Sequence, residues 1–316
     1  MKPLVTLILL TYNQEDFIQS AIKSVLNQDY ENIEIIVSDD CSTDETFKKA
    51  SEVVKSNSSR KAINLNRNER NLGLTAHFNK LLEMANGEII VVAAGDDISL
   101  PTRVTKSVEI LLEHEDVTFV SFNDELIDSK GMVLSTGERV NFNGLRKFDL
   151  KDYLNEVKIP LSGASRAFRK VVYDYFGGLN SDCPTEDTPY ILRGLLIGKT
   201  AISSDIAIQY RRHNNNLSNP SSIANMDIDT IMNQYKTDLR TAYDKKGISE
   251  EKKAEVSAWI KRNHTKRNKL NQLHMSNSKL TYFLENIALE KSIHTIDKLK
   301  LLAVILRATL VKTINV

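Results

Sequence analysis

Asn86-Gly87-Glu88-Ile89-Ile90-Val91-Val92-Ala93-Ala94-Gly95-Asp96-Asp97-Ile98-Ser99-Leu100-Pro101 decides how the rest of the chain is read. Asn86-Gly87 signals a turn, and Ile89 to Ala94 is an apolar, β-branched run of strand length. Two adjacent carboxylates follow at its C-terminal end. Open α/β sheets hold their ligands at the C-terminal ends of strands. Two carboxylates on a short loop there can share a hard divalent cation and leave coordination positions for phosphate oxygens. Taken alone, the pair also reads as a solvated turn before a helix, with Pro101 as first helical residue and Ser99 as cap.

Upstream, two periods alternate. Leu4 to Leu10 and Ile33 to Val37 are strand-length apolar runs, and Ala62 to Asn66 is a weaker one. Between them, apolar residues recur at helical spacing from Phe17 to Leu26, and Ser42-Thr43-Asp44-Glu45 matches a capping box for a helix reaching about Lys55. Asn71-Leu72-Gly73 turns into a third helix ending near Ala85. This alternation predicts an α/β fold with a Rossmann-like, mostly parallel sheet and helices on both faces. The first strand runs into Thr11-Tyr12-Asn13, not into a Gly-x-Gly-x-x-Gly turn, and no Walker loop is present. Asp96-Asp97 with a cation is then the means of holding phosphates.

Downstream, a helix from Arg103 to Glu113 precedes a strand from Val117 to Phe122 and a hairpin turn at Asp128-Ser129-Lys130-Gly131. Residues 135–160 are less regular, and Ser162-Gly163-Ala164-Ser165 follows. A helix from Lys170 to Tyr175 is closed by Gly177-Gly178. Glu186-Asp187, after Pro184, opens another, and a strand from Thr200 to Tyr210 leads to Arg211-Arg212-His213. The polar run Asn214 to Ser222, with Leu217 as its one core residue, predicts a mobile loop able to close over a ligand.

A chain of 316 residues with 41% hydrophobic and 26% charged residues can bury a full core, which excludes a disordered or membrane-embedded class. The net charge of +1 hides an asymmetry: residues 245–316 hold 15 Lys/Arg against 6 Asp/Glu, leaving 27 against 35 elsewhere. We therefore expect a catalytic domain over residues 1–222 and a basic helical extension over 223–316. Leu299, Leu302, Ala303, Leu306 and Leu310 share one face of the last segment, with Lys298, Lys300, Arg307 and Lys312 mostly elsewhere. An anionic membrane surface, and no nucleic acid, is the expected partner. Packing on the body, or on a second copy as an oligomer, is the alternative. Cys41 and Cys183 form no metal spacing or disulfide framework, so a cytoplasmic location is expected. Met1-Lys2-Pro3 is too short for a signal peptide, and the longest apolar run, Leu301 to Leu306, is far below the ~20 residues of a membrane span.

In order along the chain, Thr11-Tyr12-Asn13, Asp39-Asp40, Asn71-x-Gly73, Asp96-Asp97, Glu186-Asp187 and Arg212-His213 resemble the family 2 glycosyltransferases of GT-A fold, particularly bacterial enzymes that extend surface polysaccharide and O-antigen repeat units. The resemblance covers roughly residues 3–220. It implies that Tyr12 stacks on the nucleotide base and Asp40 accepts an imide N–H, with Thr11, Asn13, Asn71 and Gly73 also on the donor side. A carboxylate only accepts, so uracil or guanine suits it, giving a UDP-sugar first and a GDP-sugar second. Where the family has Asp-x-Asp, this chain has Ala94-Gly95-Asp96. Asp96, Asp97 and His213 would hold Mn²⁺ or Mg²⁺, with Arg212 and His213 near the diphosphate. Asp187 would be the base of a single inverting displacement, with Glu186 and Gly163 on the acceptor side. Cys41 stands where the family often has Gly and is read as packing. The implied acceptor is a polyprenyl-diphosphate-linked saccharide, met by a peripheral enzyme on the inner face of the cytoplasmic membrane.

Each acidic pair alone also reads as helix N-terminal charge, and the lone His as structural. A sugar-nucleotide pyrophosphorylase would need a Gly-rich entry loop that is absent. A non-catalytic nucleotide-sugar-binding or assembly subunit is the rival outside enzymes, and the presence of Asp96, Asp187 and His213 argues against it.

Overall fold

Ile89–Ala94 (β4) lies in parallel register beside Val5–Thr11 (β1), Val5 opposite Ile89 and Leu10 opposite Ala94. Beyond β1 stand Ile33–Asp39 (β2) and Ala62–Arg67 (β3), also parallel. On the other side, Ala167–Arg169 (β9) runs antiparallel to both β4 and Val117–Ile127 (β6). Lys199–Arg211 (β10) follows in parallel, with the two-residue Ile98–Ser99 (β5) at the edge. Val133–Thr136 (β7) pairs with the end of β6 and Leu145–Phe148 (β8) with the start of β10. The computed structural model describes residues 2–57, 61–137, 139–214, 216–219, 222–223, 225–276, 278–291, 293, 295, 297–303 and 305. Successive strands leave β1 toward β3 and then resume on its other side at β4. Chain order reverses there, which opens a crevice at the strand tips.

Parity along the strands sorts the core. Val5, Leu7, Leu9, Ile89 and Val91 join one apolar cluster, whereas Ile8, Ile90 and Val92 join the other. Ile18–Leu26 (α1), Thr46–Ser56 (α2) and Arg103–Glu113 (α4) cover the first face. The second is covered by Leu74–Met84 (α3), the short Leu150–Leu154 (α5), Val171–Phe176 (α6), Asp187–Ile197 (α7) and Ile228–Asp244 (α8). With both faces covered, the central strands are continuous apolar runs, which is why they were legible. This second cluster continues past residue 222, taking in Tyr235 of α8 and Val256, Trp259 and Ile260 of Glu250–Met275 (α9). A smaller cluster of Leu273, Phe283, Ile287, Ile293 and Ile305 lies beyond it.

Several local expectations are corrected. Helix α4 starts at Arg103, not at Pro101. Ser99 lies in β5, and its hydroxyl accepts from Arg103 Nη1 at 2.9 Å instead of capping a helix. Ser42 is engaged by the buried Asp39, so Asp44 takes the Thr46 N–H at the start of α2 instead, at 3.0 Å. Residues 135–160 contain β8 and α5, the latter with a capping box between Asp149 and Asp152. Leu217 is 63% exposed and not in the core. Residues 215, 220 and 221 of the expected loop lie outside the described residues, as do 306–316 of the expected basic helix. Leu299 is exposed, and Leu302 packs on the C-terminal cluster. No helix among the described residues is long and apolar enough to cross a membrane.

Candidate active site

At the crevice, Gly95 lets two loops touch. A Cβ there would lie 2.5 Å from Thr11 Oγ1 and 2.4 Å from Gln14 Oε1, so only hydrogen fits. The Gly95 N–H bonds Leu10 O at 2.9 Å, which fixes the Asp96-Asp97 turn at the end of β1. Asp96 is buried, and its Oδ2 lies 2.9 Å from His213 Nε2, 117 residues later. The imidazole packs on Phe17 with ring centroids 5.0 Å apart, and the His213 N–H bonds Asn216 Oδ1 at 2.7 Å. Asp97 stands apart from this pair: its Oδ1 accepts from the Arg211 N–H at 2.9 Å. Burial, and then the Asp96 charge, push the Asp97 carboxyl well above the usual carboxylate range, opposed by Arg211 and Arg103.

Among the described residues no three His, Cys, Asp or Glu side chains gather around one point, so Asp96, Asp97 and His213 do not form a ready cage. Asp96 and His213 nevertheless fit two adjacent corners of an octahedral ion. Ligands about 2.1 Å from a metal at right angles stand about 3 Å apart, against 2.9 Å here. Mg²⁺-type ions commonly take one or two protein ligands and fill the remaining positions with phosphate oxygens and water.

One side of the crevice is built from the ends of β1, β2 and β3. Thr11 is buried opposite Asp39, and Tyr12 is 42% exposed. Asn13, at φ +50°, donates its N–H to Ser42 Oγ at 2.9 Å and accepts from Thr43 N at 2.9 Å. The Asp40 carboxylate takes Asn68 Nδ2 at 2.7 Å and the N–H groups of Leu72 and Gly73 at 2.9 Å. Asn71 Oδ1 also accepts from Gly73 N, at 2.8 Å. Asp40, Asn71 and Gly73 thus meet, with Asp40 closing the loop before α3. A carboxylate has about four acceptor positions, so among the described residues one remains, on Oδ2. Cys41 has φ +61°, the left-handed region that favours glycine.

Asp187 is the first residue of α7. Its Oδ1 accepts from Thr185 Oγ1 at 2.5 Å and Thr188 N at 2.6 Å, while no hydrogen bond among the described residues reaches Oδ2. Oδ2 faces Gly163, where a Cβ would stand 2.6 Å away. Glu186, expected on the acceptor side, is buried and ion-paired with Arg166. Arg166 also donates to Gly163 O at 2.6 Å, so Glu186 acts on Gly163 through it. Ala164 O accepts from Arg103 Nη2 at 2.9 Å, and the Arg103 charge acts on Asp97. The segment 163–166 therefore links Asp187 to the Asp96-Asp97 turn.

Arg103, Arg166 and Arg211 were not singled out by the sequence, where an isolated arginine reads as surface charge. Arg211 is buried, with Nε bonded to Asp96 O at 2.8 Å and its guanidinium 4.9 Å above Phe17. Arg212 is exposed and lies over Tyr210.

Residues 6–177 match the family described as Glycosyl transferase family 2. The chain belongs to this family. It is 31% identical over 177 residues to a glycosyltransferase of Methanocaldococcus jannaschii, covering 55% of this chain and 60% of that one. A Haemophilus influenzae glycosyltransferase is 28% identical over 318 residues, covering 94% and 96%. The UDP-Glc:alpha-D-GlcNAc-diphosphoundecaprenol beta-1,3-glucosyltransferase of Escherichia coli is 32% identical over 146 residues, 46% of this chain and 55% of that one. Among solved structures, Staphylococcus aureus TarS in complex with UDP aligns with a TM-score of 0.62 at 15% identity, covering 90% of this chain and 81% of that one. The mannosyltransferase PcManGT from Pyrobaculum calidifontis, in complex with GDP-Man and Mn²⁺, aligns at 0.60 with 16% identity, covering 98% and 81%. These likenesses establish the fold of this glycosyltransferase as GT-A, with C-terminal helices added.

Proposed function

We propose that this glycosyltransferase moves a sugar from a nucleotide-sugar donor, UDP-linked first and GDP-linked second, to a hydroxyl of a polyprenyl-diphosphate-linked saccharide, with inversion at the anomeric carbon. The observation that carries this reading is the Asp96–His213 pair at the chain-order reversal of a family 2 sheet. The activity for which the E. coli relative is named supports the donor and acceptor classes. Tyr12 offers a face for the base, and the free position on Asp40 Oδ2 an acceptor for its imide N–H.

Mn²⁺ or Mg²⁺, held by Asp96 and His213, would supply positive charge to the departing nucleoside diphosphate. Thr185 and the Thr188 N–H hold one oxygen of Asp187, so the other can take the acceptor hydroxyl proton. As the acceptor's oxygen, losing its proton to Asp187, bonds to the anomeric carbon, the bond from that carbon to the diphosphate breaks on the opposite face. The basic C-terminal helices would rest on an anionic membrane surface where such acceptors lie.

Turnover of a panel of UDP- and GDP-sugars with Mn²⁺, for wild type and Asp187→Asn, tests the proposal. The variant should lose about 10²- to 10⁴-fold in transfer rate and keep donor binding. Transfer by Asp187→Asn at the wild-type rate would remove Asp187 from the reaction, and no turnover of any sugar nucleotide would remove the function.

A further inference from the structure

Beside the active site lies a second cavity of about 340 Å³. It shares two chain segments with the site. His213 meets Asp96, and Arg212, one residue earlier, lines the cavity; Gly163 abuts Asp187, and Leu161, two residues earlier, lines it too. The cavity's lining therefore comes within one residue along the chain of His213 and within two of Gly163.

Its charge is one-sided. Asp124 is the acid among the lining residues, and Arg139 Nε occupies its carboxylate at 2.7 Å. Lys158 and Arg212 remain, both exposed and without an ion pair among the described residues. Leu126, Pro160 and Leu161 supply an apolar wall beside them. Two separate cations, one a planar fork, match a group that spreads two or more negative charges over neighbouring oxygens. An apolar wall next to such cations matches hydrocarbon attached to that group. A diphosphate joined to an isoprenoid has both features, and sugar hydroxyls have neither.

We propose that Lys158 and Arg212 bind the acceptor's own diphosphate, with the first isoprenoid carbons against Leu126, Pro160 and Leu161. This assignment rests on the transferase reading above. No bond in that diphosphate is made or broken; its capture places the saccharide hydroxyl before Asp187. Lys158 and Arg212 are thus positioning residues, and their loss raises the acceptor KM while kcat changes little.

The test compares one saccharide carried on a short isoprenyl diphosphate with the same saccharide on a neutral alkyl chain of equal length. Wild type should prefer the charged acceptor in kcat/KM, and Lys158→Ala and Arg212→Ala should each cut that preference about tenfold, as expected for losing one charge-assisted contact. Because the preference is a ratio within each variant, changes on the donor side cancel. An equal preference in wild type and variants overturns the subsite and leaves the transferase reading standing. If wild type turns over neither acceptor and releases no UDP or GDP from any donor, the transferase reading falls and takes the subsite with it. A binding measurement stands independently. With UDP saturating, geranyl diphosphate should bind wild type at least tenfold more tightly than inorganic diphosphate does, and Lys158→Glu should weaken geranyl diphosphate at least tenfold. Equal binding of the two by wild type, or full retention in the variant, overturns the proposal.

Discussion

His213 Nε2 stands 2.9 Å from Asp96 Oδ2, joining the tip of β4 to the chain just past β10. If these two side chains are the protein ligands of the cation, His213→Ala removes one of them. The Mn²⁺ concentration for half-maximal turnover should then rise by at least the about 10- to 100-fold typical of losing a metal's outer-shell partner, with excess Mn²⁺ restoring part of the rate. A Mn²⁺ titration that coincides with wild type would refute this.

Gly163 and Asp187 make a second close contact. In Gly163→Ala the new methyl would meet Asp187 Oδ2 at 2.6 Å, so the carboxylate must swing away. A misplacement of about 1 Å costs about 10²-fold in rate. We expect that loss in kcat with UDP affinity retained; an unaltered kcat would put Oδ2 off the reaction path.

Arg193 of α7 and Asp238 of α8 form a buried pair, with Nη2 to Oδ1 at 2.8 Å and Nε to Oδ2 at 3.0 Å. Asp238→Ala strands the guanidinium and should lower stability by about 3–5 kcal/mol, whereas the double change Arg193→Met, Asp238→Leu should cost less. Urea denaturation midpoints distinguish the two. A single variant as stable as wild type would mean that α8 is not anchored through this pair.

His77 is buried with Nε2 2.7 Å from Ser38 Oγ. Burial lowers its pKa below the ordinary 6.5, against the opposing pull of Asp40 and Asp39. The folded chain therefore binds this proton more weakly than the unfolded chain. Its contribution to stability is present above the unfolded value and is lost as pH falls through the folded one, at no more than about 1.4 kcal/mol per pH unit. Stability measured in urea at about pH 7.5 and about pH 5.5 should fall more steeply for wild type than for His77→Gln; parallel slopes would exclude the assignment.

The strands of this protein were legible because helices cover both faces of the sheet, so β1, β2 and β4 carry uninterrupted apolar runs that need no tertiary information. The Asp96-Asp97 turn was legible for a related reason: a strand end fixes where its loop must emerge. The capping expectations at Ser42 and Ser99 failed because each hydroxyl is taken by a side chain three or four residues away, Asp39 and Arg103, instead of by a helix-end N–H. Three arginines escaped notice because the same residue type serves a solvated surface equally well.

What the chain by itself determined is the alternation of periods, hence the sheet, and the residue types presented at its tips. Which of those tips meet was decided by the tertiary structure alone. Asp96 and His213 stand 117 positions apart, and nothing local in the intervening chain could bring them together. Their approach follows from β10 packing beside β6 and from Arg211 bonding back to the Asp96-Asp97 turn. A linear sequence can state that a carboxylate and an imidazole exist, but their separation is a property of the packed sheet.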